Sequence, residues 1–194
     1  MTHILDTAGL ELLFTEARSH NDFEDMPLAP EQMHALYDLM KMGPTSANCC
    51  PARLVFVTSD AAKARLIPHA MESNQPKIQA ASACVILAND RQFTQHMETL
   101  FPHDATAKHW FTGKEEETMM RNGSLQAAYF MLAARAMGLD VGPLSGFDAP
   151  GVDQAFFPDG RYATNMLCNI GRGKPEAVFE RLPRLAFDDA CQIV

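Results

Sequence analysis

Apolar positions recur at helical spacing over residues 7–18, where Leu10, Leu12, Leu13, Phe14 and Ala17 alternate with polar residues and predict a helix. Pro27 and Pro30 mark a turn, and a second helix starts near Ala29-Pro30-Glu31 with Met33, Leu36, Tyr37, Leu39 and Met40 on one face. Leu54 to Thr58 predicts a strand, and Ser59-Asp60 cap a short helix from Ala61 to Ile67. Cys84 to Ala88 predicts a second strand. Residues 91–117 are the least regular stretch, an excursion in which Phe93, Phe101, Trp110 and Phe111 stand among polar residues. The strongest helical pattern runs from Glu116 to Met137 and carries Met120, Leu125, Ala128, Tyr129, Met131, Leu132, Ala133 and Ala136. Its middle is apolar nearly all round, so it is expected to be central and largely buried. Gly138 ends it, and Met119, Met120, Met131 and Met137 read as core or dimer packing.

Gly142 to Phe147 reads as a short turn and Asp148 to Phe156 as a short helix. Thr164 to Ile170 reads as a final strand that breaks at Gly171-Arg172-Gly173-Lys174-Pro175, and Arg184 to Phe187 as one more short strand. Helices and strands alternate, and long helices outnumber strands. The expectation is a single domain over residues 1–194, an α+β or α/β sandwich with a small central sheet covered by helices.

Composition narrows the function more than the fold. At 47% hydrophobic and 21% charged, the chain has ordinary globular make-up. A net charge of −8 argues against nucleic acid or an anionic membrane surface as partner. No apolar run reaches the length of a membrane span. Met1-Thr2-His3-Ile4-Leu5-Asp6 lacks the basic start and apolar core of a signal peptide, which makes the cytoplasm the expected location. The five cysteines form no C-x-x-C, and the seven histidines form neither H-x-x-x-H nor H-E-x-x-H, so no metal site is expected. Neither G-x-G-x-x-G nor G-x-x-x-x-G-K-[ST] occurs, which removes a dinucleotide fold and a P-loop.

Five polar segments are left for chemistry: 18–22, 43–51, 74–77, 142–146 and 171–174. Gly43-Pro44-Thr45-Ser46-Ala47-Asn48-Cys49-Cys50-Pro51 packs small residues, hydroxyls and one amide between prolines, the composition of an ordered loop that presents backbone N–H groups. Arg18-Ser19-His20-Asn21 and Arg172-Gly173-Lys174 are basic islands in an acidic chain, suited to a phosphate by charge and by close backbone approach at glycine.

In this order the five segments resemble the FMN-dependent nitroreductase family over about residues 10–180. Arg18-Ser19-His20-Asn21 resembles the family's R-x-S-x-R-like phosphate loop, with Ala17 at the usual first Arg and Asn21 at a common basic position. Pro44 to Pro51 resembles its P-S/T-S-x-N-x-Q-P-like loop, with Cys50 in place of Gln. Asn74 and Lys77 precede a strand as the family's Asn and Lys do, Pro143-Leu144-Ser145-Gly146 resembles its P-x-x-G turn, and Gly171 to Pro175 its closing G-x-x-x-P. The runs G-P-T-S-A-N, L-F-P-H, G-P-L-S-G-F-D and R-L-P-R-L look like the branch that includes malonic semialdehyde reductases.

The resemblance implies a nitroreductase-like sandwich and an intertwined homodimer with active sites at the interface. It implies FMN as cofactor, NADH or NADPH as donor, and ping-pong hydride transfer through flavin N5 to a small acceptor such as malonic semialdehyde, with nitroaromatics or quinones as side substrates. Arg18, Arg172 and Lys174 would hold the phosphate, supported by Ser19, His20 and Asn21. Asn74 would bond the flavin edge, Lys77 would stabilise charge on the reduced ring, and the Gly146 N–H, framed by Pro143, Leu144 and Ser145, would face N5. Pro44, Thr45, Ser46 and Asn48 would come from the partner subunit. No protein group is assigned as acid or base. Trp110 and Phe111 either pack the excursion or cover the flavin and shape the substrate pocket. Two other readings stay open: a flavin-binding storage module without turnover, and a thiol protein using Cys49-Cys50.

Overall fold

The computed structural model describes residues 4–194; Met1 to His3, which opened the segment read for a signal peptide, lie outside the described residues. The sheet is built from β1 (Ala52–Val57), β2 (Ala83–Asp90), β3 (Asp140–Leu144) and β4 (Tyr162–Gly171). Their order is β1-β2-β4-β3 and every pairing is antiparallel. All eight residues of β2 are buried, because it is central in the sheet and covered on both faces. Its pairs Val55↔Ile86 and Val85↔Cys168 fix the register, with one irregularity at Leu87/Ala88.

The described residues form eight α-helices: α1 (Thr7–Leu10), α2 (Pro30–Met40), α3 (Asp60–Leu66), α4 (Gln75–Ala80), α5 (Met97–Leu100), α6 (Glu115–Ala136), α7 (Ala149–Phe156) and α8 (Phe187–Ala190). One face carries α2 and α6 over Val85, Leu87, Cys168 and Ile170; the other carries α3, α4 and α7 over Cys84, Ile86 and Leu167. A third cluster packs Phe93, Met97, Ala107 and Met119 around Cys49, which ties the excursion to the 43–51 loop. No helix is long and apolar enough to cross a membrane among the described residues.

Several expected elements form where local chemistry dictates. Ser59 accepts from the Ala62 N–H at 3.2 Å and starts α3. Pro30 sits at the first turn of α2, where its missing N–H costs nothing. Gly138, at φ 75°, turns the chain after α6.

Other expectations are corrected. Gly142 to Leu144, expected to open a turn, instead close the edge strand β3; Pro143 is tolerated because an edge strand does not use every N–H. Arg184 to Phe187 forms no strand: residues 184–186 have no regular structure and Phe187 opens α8. The excursion contains three short helical segments, at 93–96, 97–100 and 107–109. On α2 only Leu36 and Met40 are buried, while Tyr37 and Leu39 face solvent. The central helix is sorted contrary to its apolar pattern: Met120 and Leu125 are exposed, and Thr118, Asn122 and Gln126 are buried.

Candidate functional site

Segment 18–24 lies across one end of the sheet, over positions that lack a Cβ. Ser19 bridges Val141, and the His20 N–H donates to the Val141 carbonyl at 3.0 Å. A Cβ on Gly142 would stand 2.4 Å from the His20 carbonyl oxygen, and one on Gly173 would stand 2.2 Å from the His20 ring. Phe23 bridges Gly173, and the Lys174 N–H donates to the Asp22 carbonyl at 3.1 Å. The two basic islands, 150 residues apart in sequence, are therefore sewn together at the ends of β3 and β4.

Their charges are partly answered by carboxylates. Lys174 Nζ donates to Asp22 at 2.6 Å, and this hydrogen bond holds the Asp22 carboxyl below its usual range. Arg172 Nε stands 3.4 Å from Glu24. Asp140 accepts from the Gly173 N–H at 2.8 Å and lies 3.5 Å from His20 Nδ1. Arg18 lines a cavity of about 200 Å³ with Glu11, Glu16, Arg135, Gly138 and Leu139, and His20 and Asp140 line the same cavity. Asn21 is tied to the Ala177 carbonyl through both its backbone and its side-chain amide.

The far end of β3 meets a second pair of segments. Asn74 Nδ2 donates to the Gly146 carbonyl at 3.1 Å, and the Met71 N–H donates to the same oxygen at 3.0 Å. A Cβ at Gly146 would sit 2.9 Å from Asn74 Nδ2. Lys77 follows on α4 and, like Arg18, makes no ion pair among the described residues. Gly142 to Gly146 spans about 13 Å at ~3.3 Å per residue. One strip of chain thus has cations at one end and an amide, a glycine and a free lysine at the other.

The 43–51 loop stands apart, and no hydrogen bond joins it to this strip among the described residues. It is held by one face of α6: Asn122 Oδ1 accepts from the Ser46 N–H at 2.8 Å, Gln126 Oε1 from the Ala52 N–H at 2.8 Å, and the Tyr129 hydroxyl donates to the Pro44 carbonyl at 2.9 Å. Residues 122, 126 and 129 are stacked by the helix repeat. They support a loop that holds Ala47, Asn48 and Cys50 at positive φ, with Pro44, Ser46 and Asn48 exposed. These buried amides were missed in the sequence; the available signal was two amides on the apolar middle of a long helix. Asn122→Ala should lose about 1–2 kcal/mol of stability in a urea titration, because the Ser46 N–H loses its partner. Loss no larger than for Ser124→Ala on the exposed face would discount the ladder.

Trp110 and Phe111 sit in different surroundings. Phe111 packs on Phe93 at 5.4 Å and lies partly buried against the third cluster. Trp110 stacks edgewise on Phe101 at 5.3 Å and stays half exposed. The thiol reading loses support: burial, then the neighbouring Cys50, pushes the Cys49 thiol up to about 11, away from the thiolate a nucleophile needs.

Residues 15–172 match the Nitroreductase family, and the chain belongs to it. A Stenotrophomonas maltophilia (strain R551-3) protein, provisionally named NADH dehydrogenase/NAD(P)H nitroreductase, is 51% identical over 196 residues, with all of both chains covered. Among solved structures, a Bacillus subtilis protein provisionally called a nitroreductase superposes with TM-score 0.88 at 24% identity, covering 97% of this chain and 100% of that one. A protein of similar provisional name from Exiguobacterium sibiricum 255-15, solved in complex with FMN, gives 0.85 at 23% identity with both chains covered completely.

Proposed function

We propose that this protein is a cytoplasmic FMN-dependent oxidoreductase that passes reducing equivalents from NADH or NADPH to a small acceptor, with malonic semialdehyde the preferred candidate. The observation that carries this reading is the strip along β3, where four of the five candidate segments converge. When bound, FMN supplies the hydride chemistry between donor and acceptor.

The residues fit that group in kind. Arg172 and Lys174 stand where a phosphate would meet charge-assisted donors, with Arg172 exposed and held by Glu24 only at 3.4 Å. Ser19 is exposed on segment 18–24, and His20 Nδ1 is a buried nitrogen that makes no hydrogen bond and has the Asp140 carboxylate 3.5 Å away. At the other end Asn74 retains a second amide proton and its carbonyl oxygen for a ring edge. Lys77 offers a free cation where negative charge would grow, and Gly146 permits close backbone approach. Arg18 would reach the phosphate end from the cavity that it lines together with His20 and Asp140.

We infer a homodimer in which the 43–51 loop and the excursion of one copy complete the site of the other. The support is apolar surface that one chain leaves bare: Leu12, Phe14, Leu39, Met120 and Leu125, with Phe179, Leu182 and Leu185 on the tail. β1 is an edge strand beside a groove of about 850 Å³ lined by Met33, Tyr37, Leu54, Phe56 and Leu100. A tail from the second copy laid into it would intertwine the two chains. The acceptor class rests on the motif runs shared with the semialdehyde reductase branch.

An anaerobic absorbance spectrum before and after NADH tests the reading. Flavin bands that bleach with NADH, and return fastest with malonic semialdehyde, are the expected result. Bands that persist with both NADH and NADPH would favour the storage module. Protein that takes up no FMN would remove the reading.

A further inference from the structure

Lys63 is 6% exposed, and among the described residues its ammonium meets no carboxylate. Buried charges are normally paired, so this one calls for another partner. It donates instead to two backbone carbonyls, Gln79 at 3.0 Å and Ala81 at 2.6 Å. Both lie at the C-terminal end of α4, where carbonyls have run out of intrahelical donors. The Ala81 N–H in turn donates to the Lys77 carbonyl at 3.2 Å, and Asn74 stands at the other end of the same short helix. α4 is thus gripped from inside the body at one end and carries Asn74 and Lys77 at the other. The charge is felt inside the core: burial, then Cys168, pushes the Cys84 thiol up, and Lys63 is the group that pulls it down.

We propose that Lys63 is a positioning residue of the flavin site, which clamps α4 and holds a fixed positive charge behind Asn74 and Lys77. This rests on the FMN reading above. A neutral side chain could close a short helix with less desolvation, so the charge itself is the feature to account for. An unneutralised cation in a low-dielectric interior acts beyond its contacts and favours the more negative, reduced form of a cofactor bound near α4.

The test compares the FMN-loaded wild type with Lys63→Met, Lys63→Arg and Ile78→Val, reading FMN affinity by fluorescence and reduction potential by dye equilibration. Lys63→Met is expected to lose about tenfold more affinity for reduced than for oxidised FMN, a negative shift of about 30 mV for a two-electron couple. Lys63→Arg should restore most of the potential. Ile78→Val, which loosens the buried packing of α4 without changing charge, should lower stability and leave the potential at the wild-type value. A Lys63→Met protein with wild-type potential overturns the proposal, as does an Ile78→Val protein with an equal shift. If Lys63→Met does not fold, Lys63→Gln takes its place, and equal potentials for the Gln and Arg variants overturn it. Wild-type protein that takes up no FMN removes the flavin reading and this role together, whereas unchanged variants of a flavin-loaded wild type remove the role alone.

Discussion

Gly142→Ala is expected to weaken FMN binding by more than tenfold and to cost about 2–3 kcal/mol of stability, near the upper end for overpacking. The added methyl would stand 2.4 Å from the His20 carbonyl oxygen, 3.5 Å from the Phe23 ring and 3.6 Å from the Asn169 Cβ. The first of these is backbone, so no rotamer change relieves it. Gly142 cannot retreat either, because it pairs with Asn169 of β4 on its other side. Segment 18–20 must therefore lift from β3, breaking the His20-to-Val141 hydrogen bond and the Ser19–Val141 bridge. FMN titration and urea denaturation of the same variant read both effects. Gly113→Ala is the comparison: it has φ 78° but nothing within 4 Å. It should cost roughly 1 kcal/mol and leave FMN affinity alone. Wild-type affinity in Gly142→Ala would place segment 18–24 outside the site.

Asp90→Ala is expected to cost about 3 kcal/mol, the lower end for breaking a buried pair, because its partners keep part of their surface in water. The Asp90 side chain is fully buried, while Arg53 and Arg161 are 28% and 31% exposed. Arg53 donates to it at 2.8 Å, Arg161 at 3.1 and 3.2 Å, and the Gln92 N–H at 2.9 Å. His96 approaches to 3.6 Å, so the cluster also pins the start of the excursion to the sheet. Burial alone pushes the Asp90 carboxyl up. The hydrogen bonds from Arg161 and Gln92 and the charges of Arg53 and Arg161 together outweigh it, so the pKa lies below its usual value. A carboxyl depressed in the folded state stabilises above its unfolded pKa of about 3.9 and loses that contribution as pH falls through the folded value. Asp90→Asn should therefore be less stable than wild type at neutral pH, with the gap narrowing below about pH 4. Urea midpoints across that range measure it, and a constant gap would mean that the charge of Asp90 contributes nothing.

The candidate segments were legible because their composition conflicts with burial: Pro44 to Pro51 cannot be core, and Arg172-Gly173-Lys174 interrupts an apolar strand. Strand β2 was legible only in part. Cys84 to Ala88 is plainly apolar, but Asn89 and Asp90 look like a strand end while both are buried. Asp90 is tolerated there because Arg53 and Arg161 arrive from 37 and 71 residues away. Edge strand β3 was hidden because Gly142 and Pro143 are weak strand formers, and its pairing depends on β4.

By itself the sequence determined the helices and strands with a strong local period, the caps at Ser59 and Gly138, and the loops whose polar make-up bars them from a core. These follow from steric and hydrogen-bonding preferences acting within a few residues. Only the tertiary structure decided that segments 18–24 and 171–174 share one end of β3 while Asn74 and Gly146 share the other. It also decided that Asn122 and Gln126 are buried and Met120 and Leu125 are bare. Each depends on groups distant in sequence: segment 18–24 closes on Gly142 and Gly173 where a Cβ would prevent it, and Asn122 and Gln126 find the Ser46 and Ala52 N–H groups more than seventy residues away.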